Sequence, residues 1–186
     1  YNWCPDYANG FYIEAAKHWE NPTSGTSDYF NTCSTEYDTM LQRFLFSVPE
    51  NYIGEQDART GNAYAGFLYT QVDDPNINWV DQTYAEYLQI ELSQTLTAGK
   101  FYQLRFYVSN AATTICGNSV GALFLQNQLN ISNDKIIQAQ PQVQSDLNVF
   151  FCDSTKWFEI NHVFQAVGDE RFLIIGVFTP LYQMKT

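Results

Sequence analysis

Positive charge is the scarcest feature of this 186-residue chain. Nine Lys and Arg stand against 20 Asp and Glu, a formal net charge of −11. Such a surface repels a phosphate backbone, which excludes nucleic acid as a partner and disfavours anionic lipid surfaces for the same reason. There is no run of about 18 apolar residues, so no segment reads as a membrane span. There is no Cys-x-x-Cys pair, which removes zinc-ribbon and thioredoxin-like readings. The two histidines, His18 and His162, lie far apart in sequence and support neither a catalytic triad nor a His-rich metal site. Internal repeats and low-complexity linkers are also missing. No secretory signal is visible and the first residue is Tyr1, so the expectation is a mature or trimmed product.

What the chain does have is apolar and aromatic surface. Hydrophobic residues make up 45% and aromatics 17%, enough for one sizeable core and weighted toward strand formers. The expected organisation is one domain over residues 1–186. Residues 1–60 form an irregular, disulfide-tied segment and 61–186 carry the main strands. Glu36 to Phe46 could hold one short helix. Beyond Gly61, Leu88, Ile90 and Leu92 alternate with Tyr87, Gln89 and Glu91. Tyr102, Leu104, Phe106 and Val108 likewise alternate with Gln103, Arg105 and Tyr107. A period of two is a strand with one wet face, and Ala98-Gly99-Lys100 between the runs predicts a hairpin. The run 157–167, the turn Gly168-Asp169-Glu170 and the run 171–178 predict a second. The fold class is all-β: an antiparallel jelly-roll β-sandwich with a long irregular N-terminal segment. Four cysteines allow three pairings. Joining neighbours along the chain favours Cys4–Cys33 and Cys116–Cys152, with four free thiols as the alternative.

Motifs for chemistry are weak. Gly117-Asn-Ser-Val-Gly121 matches the nucleophile-elbow pattern, but the residues after Ser119 read as strand where an elbow needs a helix. His162 falls on the side of Ile160 and Phe164 and is expected as a core or rim histidine, not a general base. Glu86, Glu91 and Glu159 could supply a glycosidase pair only if two of them faced one cleft. Asp74-Pro-Asn-Ile-Asn78 starts like a calcium loop, but Trp79 stands where such a loop needs Gly. Asp73, Asp74 and Asp81 are therefore weak metal candidates. The strongest candidate is the wet face of the first hairpin, with Tyr87, Gln89, Arg105 and Tyr107 on it and Trp79 in the loop leading to it. Aromatic rings, amides and an Arg fork suit a sugar: the ring stacks and the hydroxyls find hydrogen bonds.

Several stretches together resemble a known family. They are Cys4-Pro5, residues 15–33 with Trp19 and Asp28-Tyr29-Phe30, Val48-Pro49, and Thr60 to Gly66. They continue with Tyr84 to Leu92, Ala98 to Tyr102, Phe106 to Ser109, and Trp157 with the strand behind it. The chain resembles the N-terminal, carbohydrate-binding-module-like domains of Bacteroidetes secreted and surface proteins, gliding-motility-associated and OmpA-family proteins among them. The resemblance implies an exported, galactose-binding-like jelly roll without catalytic residues, and with a structural calcium in many relatives. It also implies an opening strand ahead of Tyr1 and a Gly where His162 stands. A sheet edge left open there is a template for strand addition.

The expected function is a non-catalytic cell-surface binding or adhesion module, with a glycan or another surface protein as partner. No cofactor beyond that structural calcium is expected. The alternative is a structural subunit of an extracellular assembly that self-associates by strand exchange; a hydrolase ranks last. The expected location is secreted, on the cell surface.

Overall fold

A computed structural model describes residues 3–8, 10–69, 84–112 and 116–178. The protein is all-β, with antiparallel sheets and a single short 3-10 turn, Ile13–Ala15, among the described residues. Six short strands occupy the first third: β1 (Trp19–Glu20), β2 (Asp28–Asn31), β3 (Tyr37–Asp38), β4 (Arg43–Phe44), β5 (Glu50–Asn51) and β6 (Gly54–Glu55). The remainder holds β7 (Ala63–Gly66), β8 (Leu88–Glu91), β9 (Phe101–Val108), β10 (Val120–Leu125), β11 (Val143–Gln144), β12 (Phe158–Gln165) and β13 (Phe172–Val177). The largest sheet runs β1-β8-β13-β10-β11. Facing it are two ribbons, β9 with β12 and β2 with β7.

One hydrophobic core lies between these layers. Leu88, Val120, Ala122, Phe124, Leu173, Ile175 and Val177 enter it from the five-stranded sheet, and Tyr29, Ile160 and Phe164 from the ribbons. The alternation in the sequence sets this up. Tyr102, Leu104, Phe106 and Val108 all pack against this core from β9. A second apolar cluster covers the other side of the five-stranded sheet, where Tyr87, Leu123, Ile174 and Phe178 meet Ile136 and Ile137 from the long connection after β10. Buried on both faces, β10 and β13 are apolar almost throughout, as their sequences VGALFL and FLIIGV require. A third cluster, Phe30, Leu45, Phe46 and Val48, sits beneath the N-terminal strands.

Neither expected hairpin forms. β8 and β9 belong to different sheets, and so do β12 and β13. Each turn carries the chain across the core instead of back along the same sheet. The two crossings lie side by side and bond to each other. Gly99 N–H donates to Ala166 O (2.9 Å), Ala166 N–H to Lys100 O (2.9 Å), and Asp169 N–H to Leu96 O (3.0 Å). The buried Glu170 carboxylate caps the second crossing by accepting from Val167 and Gly168 N–H, both at 2.7 Å. The periodicity of two identifies which side of each strand meets the core. It is the same for two strands hydrogen-bonded in one sheet and for two strands facing each other across the core.

The expected helix over Glu36 to Phe46 is also replaced, by the hairpin β3–β4. Asp38 Oδ1 accepts from Met40 N–H (2.7 Å) and Leu41 N–H (3.0 Å), and Gln42 takes a left-handed φ of 53°. This local side-chain acceptor competes with the helix ladder. Met40 and Leu41, which a helix would need on its apolar side, are exposed.

The chain carries two disulfides, Cys4–Cys33 and Cys116–Cys152. The first ties the N-terminal segment to the end of β2, and the second holds the connection before β10 to the one before β12. Paired cysteines fit an oxidising compartment. No described helix is long and apolar enough to cross a membrane.

Candidate functional site

The sugar-binding face expected from the sequence is divided by the structure. Tyr87 and Gln89 are 0% exposed, because the connection after β10 covers their side of β8. Tyr87 Oη donates to Val177 O (2.6 Å) and accepts from Ile137 N–H (2.9 Å). Gln89 bonds Leu129 in both directions, Nε2 to its carbonyl (3.1 Å) and Oε1 from its N–H (2.9 Å). Both side chains therefore fasten the covering segment and face no ligand. This corrects the wet-face reading of β8. Trp79, Asp73, Asp74 and Asp81 lie outside the described residues.

Arg105 and Tyr107 remain on an open face, the outer side of the β9–β12 ribbon. Their neighbours come from β12: Glu159 is opposite Tyr107 and Asn161 opposite Arg105. A row of hydrogen bonds crosses the ribbon. Tyr107 Oη donates to Glu159 Oε2 (2.8 Å), Asn161 Nδ2 to Glu159 Oε1 (2.9 Å), and Gln103 Nε2 to Asn161 Oδ1 (2.8 Å). Those two donors, with Arg105 and Arg59 nearby, hold the exposed Glu159 carboxyl below the ordinary carboxylate range. Phe101 (71% exposed) and Val163 (65%) add apolar surface toward the far end of the same face.

Arg59 completes the site, and its place is set by the segment before it. Gln56 N–H donates to Pro49 O (2.8 Å), and Gln56 Oε1 accepts from Ser109 Oγ (2.7 Å) just past β9. Asp57 O accepts the indole N–H of Trp157 (2.9 Å) just before β12. Ala58 packs into the third cluster. So anchored, the segment places the Arg59 guanidinium over the Tyr107 ring, 4.4 Å from its centre. Nothing local in the sequence marks Arg59, which is far in the chain from both strands.

The other carboxylates each have their own partners. Glu91 pairs with Arg171. Glu86 is buried; Oε2 accepts from Leu68 N–H (2.7 Å), and Oε1 from Thr26 N–H (3.3 Å) and Tyr84 Oη. Asp28, on β2, accepts from Tyr52 Oη (2.6 Å). Burial, with the Glu86 charge nearby, pushes the Asp28 carboxyl up to about 7 despite that bond. Tyr52 and Tyr84 are raised as well, by burial first and then by these carboxylates. Two acidic side chains and two phenols so form one polar cluster that runs from the buried Glu86 to Tyr52 at the surface. No group of three or more metal-ligating side chains occurs among the described residues, so no role is derived through calcium.

Ser119 takes the left-handed φ of 64° that an elbow serine would have. It is nevertheless fully buried, donates to Asn118 Oδ1 (3.2 Å), and leads directly into β10. His162 is exposed, although Ile160 and Phe164 on either side of it in β12 are buried. Its exposure makes it a rim histidine, on a strand that pairs with no described strand except β9.

Comparison with family models, with curated proteins and with solved structures returns no match.

Proposed function

We propose that this protein is a non-catalytic carbohydrate-binding module with jelly-roll topology, part of a secreted cell-surface protein like those of Bacteroidetes that its sequence resembles. One observation carries the proposal: the outer face of β9–β12 is left open and carries Tyr107, Glu159, Asn161 and Gln103 in one hydrogen-bonded row, with Arg59 over the Tyr107 ring and Arg105 opposite Asn161. A side chain already held by its neighbours loses little rotamer freedom when a ligand arrives. Four alternate residues of β9 face outward over a strand of roughly 25 Å, long enough for several sugar rings in a row. The opposite face of the molecule supports no such reading, because the connection after β10 covers it.

The test is a glycan array with the purified chain, run with calcium and with chelator. Tyr107→Ala is expected to weaken the best glycan at least tenfold, through loss of the ring and of the Glu159 and Arg59 contacts. A folded wild type that bound no glycan, or a Tyr107→Ala variant that bound as well as wild type, would overturn the proposal.

A second reading has its own support. β9 and β12 are each eight residues long, and each pairs only with the other among the described strands. Neither contains Lys or Pro, the usual guards of an exposed edge. A surface-assembly subunit would use these edges for strand addition. It predicts sedimentation that shifts to larger species with concentration, and a Val163→Pro variant that stays monomeric. A monomer at every concentration would remove this reading.

A further inference from the structure

The charge on the open face deepens the carbohydrate reading and rests on it. The chain has four arginines. Arg43 donates to Tyr52 O (3.3 Å) and Arg171 pairs with Glu91. Arg59 and Arg105 have no hydrogen bond or salt bridge among the described residues, and both are exposed. These two guanidiniums nevertheless come to the same place. Arg59 lies over Tyr107, Arg105 is opposite Asn161, and both act on the charge of Glu159. Glu159 is meanwhile engaged by Tyr107 and Asn161, each bonding one of its oxygens. Two guanidiniums without a hydrogen bond or salt bridge among the described residues thus lie near Glu159, one of them over the Tyr107 ring, in a protein that carries few cations anywhere.

From this we infer that the face recognises an anionic sugar, one bearing a carboxylate or a sulfate. Guanidinium binds either group through two parallel N–H donors, which a lone ammonium cannot copy. Tyr107 holds Arg59 with its ring and Glu159 with its hydroxyl, and Gln103 and Asn161 supply amides for sugar hydroxyls. The net charge of −11 does not forbid this. At physiological salt a charge is screened over about 8 Å, so a ligand on this face responds mainly to the charges beside it. Arg59 and Arg105 are among those, close enough to act on Glu159.

The experiment titrates the wild type with three matched sets of oligosaccharides: neutral, uronate-bearing and sulfated. The expected result is at least tenfold tighter binding of one acidic set than of the neutral set. Arg59→Gln and Arg105→Gln should each remove most of that preference, and Arg105→Lys should restore only part of it. Binding to uronate but not sulfate, or the reverse, identifies which anion the forks fit. Equal or tighter binding of neutral sugars overturns this inference and leaves the carbohydrate reading intact. No binding in any set overturns both. Unchanged acidic preference in both Gln variants, with thermal midpoints like that of wild type, overturns the assignment to these two arginines.

Discussion

Gly176→Ala is expected to destabilise the protein by about 3 to 5 kcal/mol. Gly176 lies in β13, the middle strand of the five-stranded sheet, directly opposite Gly121 on β10. The ring of Tyr87 lies across the sheet on top of it, so that a Cβ would overlap the ring, with the Glu86 carbonyl 3.1 Å from it. That ring is completely buried and has no space to move into. Its hydroxyl also closes two hydrogen bonds, donating to Val177 O of β13 and accepting from Ile137 N–H of the covering segment. Overpacking alone costs about 1–3 kcal/mol. Displacing the phenol adds about 1 kcal/mol for each lost bond. In a chain of this size the sum lowers the thermal midpoint by roughly 10 °C. Gly121→Ala makes the internal comparison. Its Cβ would meet Pro141, the Val143 carbonyl and Phe178 at 3.0–3.2 Å, a tight but relievable fit, and it should cost less. Urea unfolding of both variants measures the difference. An Ala at 176 as stable as wild type would mean that Tyr87 does not pack there.

The second large effect is a pH dependence centred on Asp28. Its carboxyl titrates near 7 in the folded protein and at an ordinary 3.8 when exposed. The folded state therefore holds a proton that the unfolded state has already released. A group raised in this way contributes stability that is complete below about pH 4 and is lost as pH rises through about 7. The pKa gap sets a ceiling of roughly 4 kcal/mol, and for a half-buried group about 2 kcal/mol is expected. Asp28→Asn keeps an acceptor for Tyr52 without the titration. At pH 8 and above the variant should be more stable than wild type by about that amount, and near pH 4 the two should converge. The contrast between the two proteins cancels what every other group contributes. The lowered carboxyls of Glu159 and Asp153 act at lower pH and in the opposite sense. Parallel stability profiles for wild type and variant from pH 4 to 8.5 would show that Asp28 is not buried against Glu86 as described.

Much of the fold was legible because burial writes itself into alternation. Leu88, Leu104, Phe106, Ile160 and Phe164 were identified as one-sided strand positions, and each meets the core. Strand partnership was not legible. A turn such as Ala98-Gly99-Lys100 is chemically suited to a hairpin, and only the bonds of Gly99 and Lys100 to Ala166 send it across the core. That error misplaced half of the candidate site. Tyr87 and Gln89 have the composition of a wet strand face, yet the face is sealed by residues some forty to fifty positions later. Arg105 and Tyr107 were found because their own strand exposes them. Their true neighbours, Glu159 and Asn161, are set by the β9–β12 register, and Arg59 by a tether to Trp157 and Ser109. Residues brought together by three separate segments leave no local pattern to read.

The position of β13 in the five-stranded sheet has a consequence for the order of assembly during synthesis. It is the last described strand to leave the ribosome, and it is the one that β8 and β10 both require as a neighbour. Until Phe172–Val177 is available, the two earlier strands have a gap between them that no other described strand spans, and β1 and β11 are attached to their outer edges. Long-range pairings of this kind form slowly, since the chain must be closed over a great length before any contact rewards it. Assembly of the sheet is thus withheld until nearly the whole described chain is present. The sheet therefore closes by insertion of its middle strand, with β8 and β10 waiting on Phe172–Val177.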